Sequence, residues 1–296
     1  MRKLLVIGIV GFAAQLVDGS LGMGYGVTSS SLLVLAGLTP AAASASVHFS
    51  ELGTNLASGV SHWRLRNVDW RVVGRIAGPG AVGAFLGATV LSSLSTEAAA
   101  PVMAVILAAL GLYIILRFLV GFRPRLRRQI GLRFLAPLGL FAGFIDATGG
   151  GGWGPVATPA LISDGRMEPR KVIGSVDTSE FAVSAAASLG FLVGLGAAGI
   201  SWGFALALLI GGIFAAPLAA YLVRVAPTHL LGIAVGGMIL LTNSRTLLKT
   251  GDVDTPARFA VYGAILVLTL VGLYVARLRQ RRLRDTADAP QVSTNA

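Results

Sequence analysis

Two copies of one glycine-rich pattern, each set between apolar runs, constrain this chain more than any other feature. The first runs Asp18-Gly19-Ser20-Leu21-Gly22-Met23-Gly24-Tyr25-Gly26 and is followed by Ser46-Val47-His48-Phe49-Ser50-Glu51. The second runs Asp146-Ala147-Thr148-Gly149-Gly150-Gly151-Gly152-Trp153-Gly154 and is followed by Ser175-Val176-Asp177-Thr178-Ser179-Glu180. An offset of 128 carries Asp18 onto Asp146, Gly22 onto Gly150, Gly24 onto Gly152, Tyr25 onto Trp153 and Gly26 onto Gly154; one inserted residue makes it 129 for Pro40 and Pro169, and for Ser50-Glu51 and Ser179-Glu180. At Arg117 and Arg245 the offset is 128 again. A duplicated half accounts for all of these matches.

The runs around the pattern are too apolar for a soluble domain. Of 296 residues 54% are apolar and 12% charged, and the mean hydropathy is +0.77, which is the composition of a polytopic membrane protein. The net charge of +11 does not point to nucleic acid, because the basic residues sit in short loops beside apolar runs and in a basic tail, as cytoplasmic membrane flanks do. With no cysteine, disulfides, thiol catalysis and thiolate metal sites are excluded. Arg2-Lys3 precedes the first apolar run without a small-residue cleavage site, which reads as a retained membrane segment.

Leu4 to Val17 is 14 residues, about 21 Å as a helix, against a hydrocarbon core of roughly 30 Å. A glycine-rich break and a second short run, Val27 to Leu38, follow, so the region is either one broken span or a re-entrant hairpin with its tip inside protein. Leu135 to Ile162 repeats the design. Ordinary spans are expected at Pro40 to Ser61, Val72 to Leu94, Ala98 to Val120, Pro169 to Leu195, Trp202 to Val223, His229 to Leu248 and Phe259 to Ala276. Loop charge favours hairpins. They leave Arg64, Arg66 and Arg71, the central Arg123, Arg125, Arg127, Arg128 and Arg133, then Arg166, Arg170, Lys171 and Arg224, and the tail Arg277, Arg279, Arg281, Arg282 and Arg284 all cytoplasmic. The cost is an outside N-terminus carrying Arg2-Lys3.

The expected fold is therefore all-α, a polytopic helical membrane protein of two inverted repeats. Each repeat has one glycine-broken or re-entrant segment plus three spans, an odd number that inverts the second half. The expected organisation is a first repeat over 1–122, a basic cytoplasmic linker over 123–133, a second repeat over 134–250, an extra C-terminal helix with its basic flank over 251–284, and a disordered tail over 285–296. Gly83 with Gly87, Gly74 with Gly78, and Gly190 with Gly194 form small-xxx-small pairs for close helix packing.

Two features carry candidate chemistry. Glycine runs permit positive φ and leave amides uncommitted, and half-helix N-termini suit anions. Gly22, Gly24, Tyr25 and Gly26 of one half, with Gly150, Gly152, Trp153 and Gly154 of the other, are thus expected near each other at the bilayer midplane, cradling a small oxyanion. The alternative is that they are tight turns and packing points. In the helix after each break, Ser44, His48, Glu51, Asn55 and Ser58 fall on one face, and Asp177, Glu180 and Ser184 keep that rhythm, with Thr178 and Ser179 beside them. Ser50, Asn55, Thr178 and Ser179 are candidate substrate contacts.

Ionisable groups in a span line a bundle interior or a cavity. A carboxylate is a poor ligand for an anion, so Glu51 and Glu180, with His48, Asp177, Asp18 and Asp146, are candidates for proton coupling or gating: a protonated Glu donates a hydrogen bond and releases its proton after the site reorients. The competing roles are a neutral Glu that locks the halves together, and Asp18 and Asp146 as caps of the second half-helix. Arg117, Arg245 and Arg75 read as residues reaching the interface.

The segments Gly11-Phe12 through Gly26, Ser46 through Asn55, Gly143 through Pro155 and Ser175 through Glu180, in a two-half layout, resemble the sulfite exporter TauE/SafE family, also called the four-toluene-sulfonate uptake permease family. The resemblance implies transport of small sulfur-containing anions such as sulfite or sulfoacetate across the bacterial inner membrane, usually as export, with no catalytic residues, no cofactor and no resident metal. The expected partners are that anion and the lipid bilayer, not nucleic acid; whether two copies form a homodimer stays open. Alternating access coupled to the proton gradient is the leading mechanism, since the glycine clusters lack the GKS or GKT ending of a phosphate loop. A passive anion channel is the alternative. A membrane-embedded enzyme, suggested by His48, Ser50 and Glu51 together, has no HExxH or GxSxG pattern behind it.

Overall fold

A computed structural model describes residues 2–120, 130–164, 167–222 and 228–287. The basic residues Arg123, Arg125, Arg127, Arg128, Arg166 and Arg224 and the tail from 288 onward lie outside the described residues. Among those described, the regular structure is helical throughout: α1 (Arg2–Leu21), α2 (Tyr25–Leu35), α3 (Pro40–Arg64), α4 (Trp70–Ser93), α5 (Thr96–Val120), α6 (Leu132–Gly149), α7 (Trp153–Asp164), α8 (Pro169–Leu195), α9 (Trp202–Leu222), α10 (Thr228–Thr250) and α11 (Thr255–Ala287), with one 3-10 turn at Ala197–Gly199. Local signals set several boundaries. Thr39 caps α3 by accepting from Ala42 N at 3.3 Å with Pro40 in the first turn, Asp69 caps α4 by accepting from Arg71 N at 3.0 Å, and Pro169 opens α8.

Among the described residues, seven helices are long and apolar enough to cross a membrane: Lys3–Leu21, Trp70–Ser93, Thr96–Leu119, Leu132–Gly149, Pro169–Leu195, Trp202–Leu222 and Thr255–Arg279. The first corrects the expectation of a 14-residue run ending at Val17. α1 has 20 residues, about 30 Å. It continues through Asp18 and Ser20 because their polar groups find partners at once: Ser20 Oγ donates to Leu16 O at 2.7 Å, and Asp18 Oδ1 accepts from Tyr25 N at 3.1 Å. The 11-residue α2 then turns back, since its following residue Ala36 lines one cavity with Lys3 and Ile7 at the start of α1. The first broken segment is thus a hairpin with one long arm and one short arm.

Packing repeats with the sequence. α1 lies along α9, and α6 along α4; α8 packs on α4 as α3 packs on α9; and the equivalent helices pair with each other, α3 with α8 and α5 with α10. Direction follows from individual contacts. Asn55 meets Ser184 while Asp69 meets Ser175, so α3 and α8 run antiparallel. Gly111 sits against Gly236 and Leu240 while Gly232 sits against Phe118, so α5 and α10 do as well.

Glycines allow the closest approaches. A Cβ on Gly139 would stand 2.6 Å from Ile76 O, and one on Gly11, its repeat equivalent, 2.8 Å from Leu208 Cα. Gly83 and Gly87 hold α4 against Leu140 and Phe144 of α6, and Gly190 and Gly194 hold α8 against Ala88 and Ser92. The pair Gly74 and Gly78 does not pack: a side chain at either would meet nothing within 4 Å, because that turn of α4 faces outward.

Candidate functional site

The two breaks touch. Gly22 (φ 67°) and Gly150 (φ 72°) both adopt the left-handed conformation that ends α1 and α6, which glycine takes without penalty. Each exposes its carbonyl to the other half. Thr158 Oγ1 of α7 donates to Gly22 O at 2.6 Å, and Ser30 Oγ of α2 donates to Gly150 O. Ser30 and Thr158 are themselves 128 apart, so one bond is the repeat image of the other. Between these latches, a Cβ on Gly26 would stand 2.7 Å from Gly151 Cα and 3.2 Å from Glu51 Oε1, and one on Gly154 would stand 2.7 Å from Met23 Cα.

The amides of the breaks are not all uncommitted, as the sequence alone suggests. Asp146 Oδ1 accepts from Gly152 N at 2.7 Å and Trp153 N at 3.0 Å, and Asp18 Oδ1 accepts from Tyr25 N. These two carboxylates cap α7 and α2 from across their own breaks, matching the capping role. The amides of Gly26, Val27 and Gly154 lie ahead of the first intrahelical bonds, Thr28 N to Gly24 O and Val156 N to Gly152 O, so no preceding carbonyl of their helices receives them.

The polar stripes of α3 and α8 close over the breaks. Glu51 Oε2 accepts from Ser184 Oγ at 3.0 Å and lies 2.8 Å from His48 Nδ1, while Asn55 Nδ2 donates to Ser184 Oγ at 3.3 Å, so Glu51 ties α3 to α8. Its other oxygen, Oε1, is buried without a hydrogen-bond partner and faces Gly26. His48 stacks on Phe191 and lies 3.9 Å from Asp146 Oδ2. The repeat-equivalent group is Asp18, Asp177 and Glu180, whose nearest oxygens all lie within 4.8 Å of one another. In each group an Asp from one half's break meets the stripe of the other half.

Other candidates are placed differently. Tyr25 is buried, with its hydroxyl 3.0 Å from Ser50 Oγ. Trp153 is fully buried, donates Nε1 to Val176 O at 3.0 Å, and packs against Gly80. Ser50, Thr178 and Ser179 donate to backbone carbonyls of their own helices. Asn55, Thr178 and Ser179 line a cavity between α3, α4 and α8 with Trp63, Trp70 and Phe181. Arg75 Nη1 donates to Ile130 O at 3.0 Å. The sequence reading missed Ser30 and Thr158, which the 128 offset aligns, and His62, 3.7 Å from Asp177 Oδ2, which extends the α3 stripe four residues past Ser58.

Comparison with known proteins agrees with this architecture. The profile described as Sulfite exporter TauE/SafE matches residues 7–246. The chain belongs to the sulfite exporter TauE/SafE family. It is 47% identical over 292 residues, 97% of each chain, to the Probable membrane transporter protein YtnM of Bacillus subtilis. It is 26% identical over 220 residues, 74% of this chain and 85% of the other, to a Probable membrane transporter protein of Haemophilus influenzae. No solved structure matches. This TauE/SafE protein is a multi-pass membrane transporter and not an enzyme.

Proposed function

We propose that this protein is a secondary transporter that exports small sulfur-containing anions, such as sulfite or sulfoacetate, from the bacterial cytoplasm by alternating access coupled to the proton gradient. The observation that carries the reading is the meeting of the two glycine breaks beside the unpartnered Glu51 Oε1. Amides in the first turns of α2 and α7 supply partial positive charge there. Since Oε2 already accepts from Ser184, a proton taken up by Glu51 goes to Oε1 and turns it into a donor toward an anion oxygen. Loss of that proton leaves a carboxylate that repels the anion. Proton and anion occupancy are thereby linked at one residue.

The antiparallel pairing of α3 with α8 and of α5 with α10 supports the inverted-repeat arrangement: a two-fold relating antiparallel spans lies in the membrane plane. One difference between the halves fits a one-sided opening. The cavity lined by Trp63, Trp70, Thr178 and Ser179 reaches the stripes from the side of the Arg64, Arg66 and Arg71 loop, whereas the equivalent of Thr178 is Phe49, which meets Trp202 edge to face with ring centroids 4.8 Å apart. Exchange of these two packings between halves is the proposed access change. Sulfite export is the direction named in the family's description, and a C-terminus on the cytoplasmic side follows from the basic tail.

Flux of labelled sulfite and sulfoacetate through the purified protein in liposomes under an imposed pH gradient tests the proposal. It predicts gradient-driven accumulation and counterflow. Folded protein that moves no sulfur oxyanion would overturn the cargo, and flux without counterflow would make it a channel.

A further inference from the structure

The two repeat-equivalent acid groups differ at one position, and that difference has a chemical consequence. In the group of Asp146, His48 and Glu51, the imidazole stands between the carboxylates, 2.8 Å from Glu51 Oε2 and 3.9 Å from Asp146 Oδ2. In the group of Asp18, Asp177 and Glu180, the residue in the imidazole's place is a third carboxyl. All three are buried, at 3%, 1% and 6% exposure, and they are the set of acidic side chains close enough to share one ion among the described residues. Three carboxyls this close and this far from water are ionised together only beside a counter-charge, and hold protons without one.

Neighbouring atoms point into the same place. Both oxygens of Asp177 lack a hydrogen-bond partner. His62 Nε2, completely buried and also without a hydrogen-bond partner, is 3.7 Å from Asp177 Oδ2, and the buried, unpartnered Ser58 hydroxyl faces the same carboxylate. Asp18 reaches the group from the glycine break with one oxygen held by Tyr25 N, so its position is fixed by α2. The donors come from three helices, α1, α3 and α8, that belong to both halves.

We propose that Asp18, Asp177 and Glu180 bind a hard cation such as Na⁺ or Ca²⁺, with the Ser58 hydroxyl as a further oxygen beside them. The ion takes the place that the His48 imidazole occupies in the other half. Because Asp18 also caps the helix whose first turn meets the anion position, the ion is placed to act on the geometry of that position. Its service as a coupling ion rests on the transporter reading above; its binding does not.

Binding of labelled Na⁺ and Ca²⁺ to the purified protein, measured with no anion present, tests the site. One of the two ions should bind the wild type at a single site per chain. Asp177→Asn and Glu180→Gln should each weaken that binding by more than roughly tenfold through loss of ligand charge, with thermal unfolding in ion-free buffer as the check that the variants are folded. Asp177→His rebuilds the composition of the other group and should remove ion binding while making anion flux independent of the ion. Absence of binding of both ions to folded wild type would overturn the proposal and leave protons as the charge these carboxyls share. Ion binding in a protein that moves no sulfur anion would uphold the site and sink the transport reading instead.

Discussion

The two halves place their acid groups on the same backbone frame and fill them with different charge. Around Asp146 and Glu51, His48 Nδ1 lies 2.8 Å from Glu51 Oε2 and 3.9 Å from Asp146 Oδ2. Around Asp18 and Glu180, Asp177 takes that place and brings a third carboxyl, with His62 on its far side. A duplicated transporter has two chances to hold a charged partner at equivalent positions. Here one copy carries an imidazole at that position, and the other carries a carboxyl that, on the proposal above, draws a cation from solution. Any cycle that treats the halves as interchangeable must therefore fail at this position, although it holds at the breaks, where Ser30 and Thr158 make the same bond in both directions.

The breaks are the part the halves share, and changes there should have the largest effect. Gly26→Val forces a side chain into Gly151, and Gly154→Val forces one into Met23. Both should abolish anion flux in liposomes, and retention in either one would break the equivalence of the breaks. The acid groups should divide the halves next. Glu51→Gln removes the proton carrier and should leave flux reduced at least about tenfold, as for a lost acid–base residue, with no dependence on pH. Glu180→Gln should leave the pH dependence in place and change the dependence on added cation, and the same pH response in both variants would erase the distinction.

Smaller effects should again be symmetric. Ser30→Ala and Thr158→Val each leave a buried carbonyl without its donor, at a cost of about 1–3 kcal/mol. Unfolding in detergent should show the two losses equal within about 0.5 kcal/mol, and Thr158→Ser should recover most of the second. The smallest effect separates the aromatic pair. Trp153→Phe loses the bond to Val176 O and should lower stability by about 1 kcal/mol, with flux largely kept. Strong loss of flux with stability unchanged would return Trp153 to the substrate path.

Much of this was legible because membrane solvent leaves few choices. Apolar runs locate the helices, although α3 and α10, expected as ordinary spans, are not among the seven long and apolar enough to cross, and the 128 offset marks which residues are equivalent. The end of α1 was misjudged because Asp18, Gly19 and Ser20 read as a break by composition, while in the fold each polar side chain closes its bond locally and the helix runs on to Leu21. The fate of the glycine amides was also hidden: whether Asp146 turns toward Gly152 and Trp153 or away from them is a matter of backbone direction at Gly150 and Gly151, which no residue pattern encodes. Ser30 and Thr158 lay in plain view under the offset, yet a single hydroxyl in an apolar run carries no sign of its acceptor. That Gly83 packs and Gly74 does not depends on which face of α4 meets α6, and a small-xxx-small spacing does not choose the face.

The central claim is that an anion binds where the breaks meet and that Glu51 must carry a proton for it to do so. Equilibrium binding of a simple alkyl sulfonate, which stays ionised throughout, to wild type and Glu51→Gln as a function of pH tests that claim most directly. The account predicts that wild-type affinity rises as pH falls and that the variant binds with a flat pH profile. Equal pH slopes in the two proteins, or no sulfonate binding to folded wild type at any pH, would contradict it.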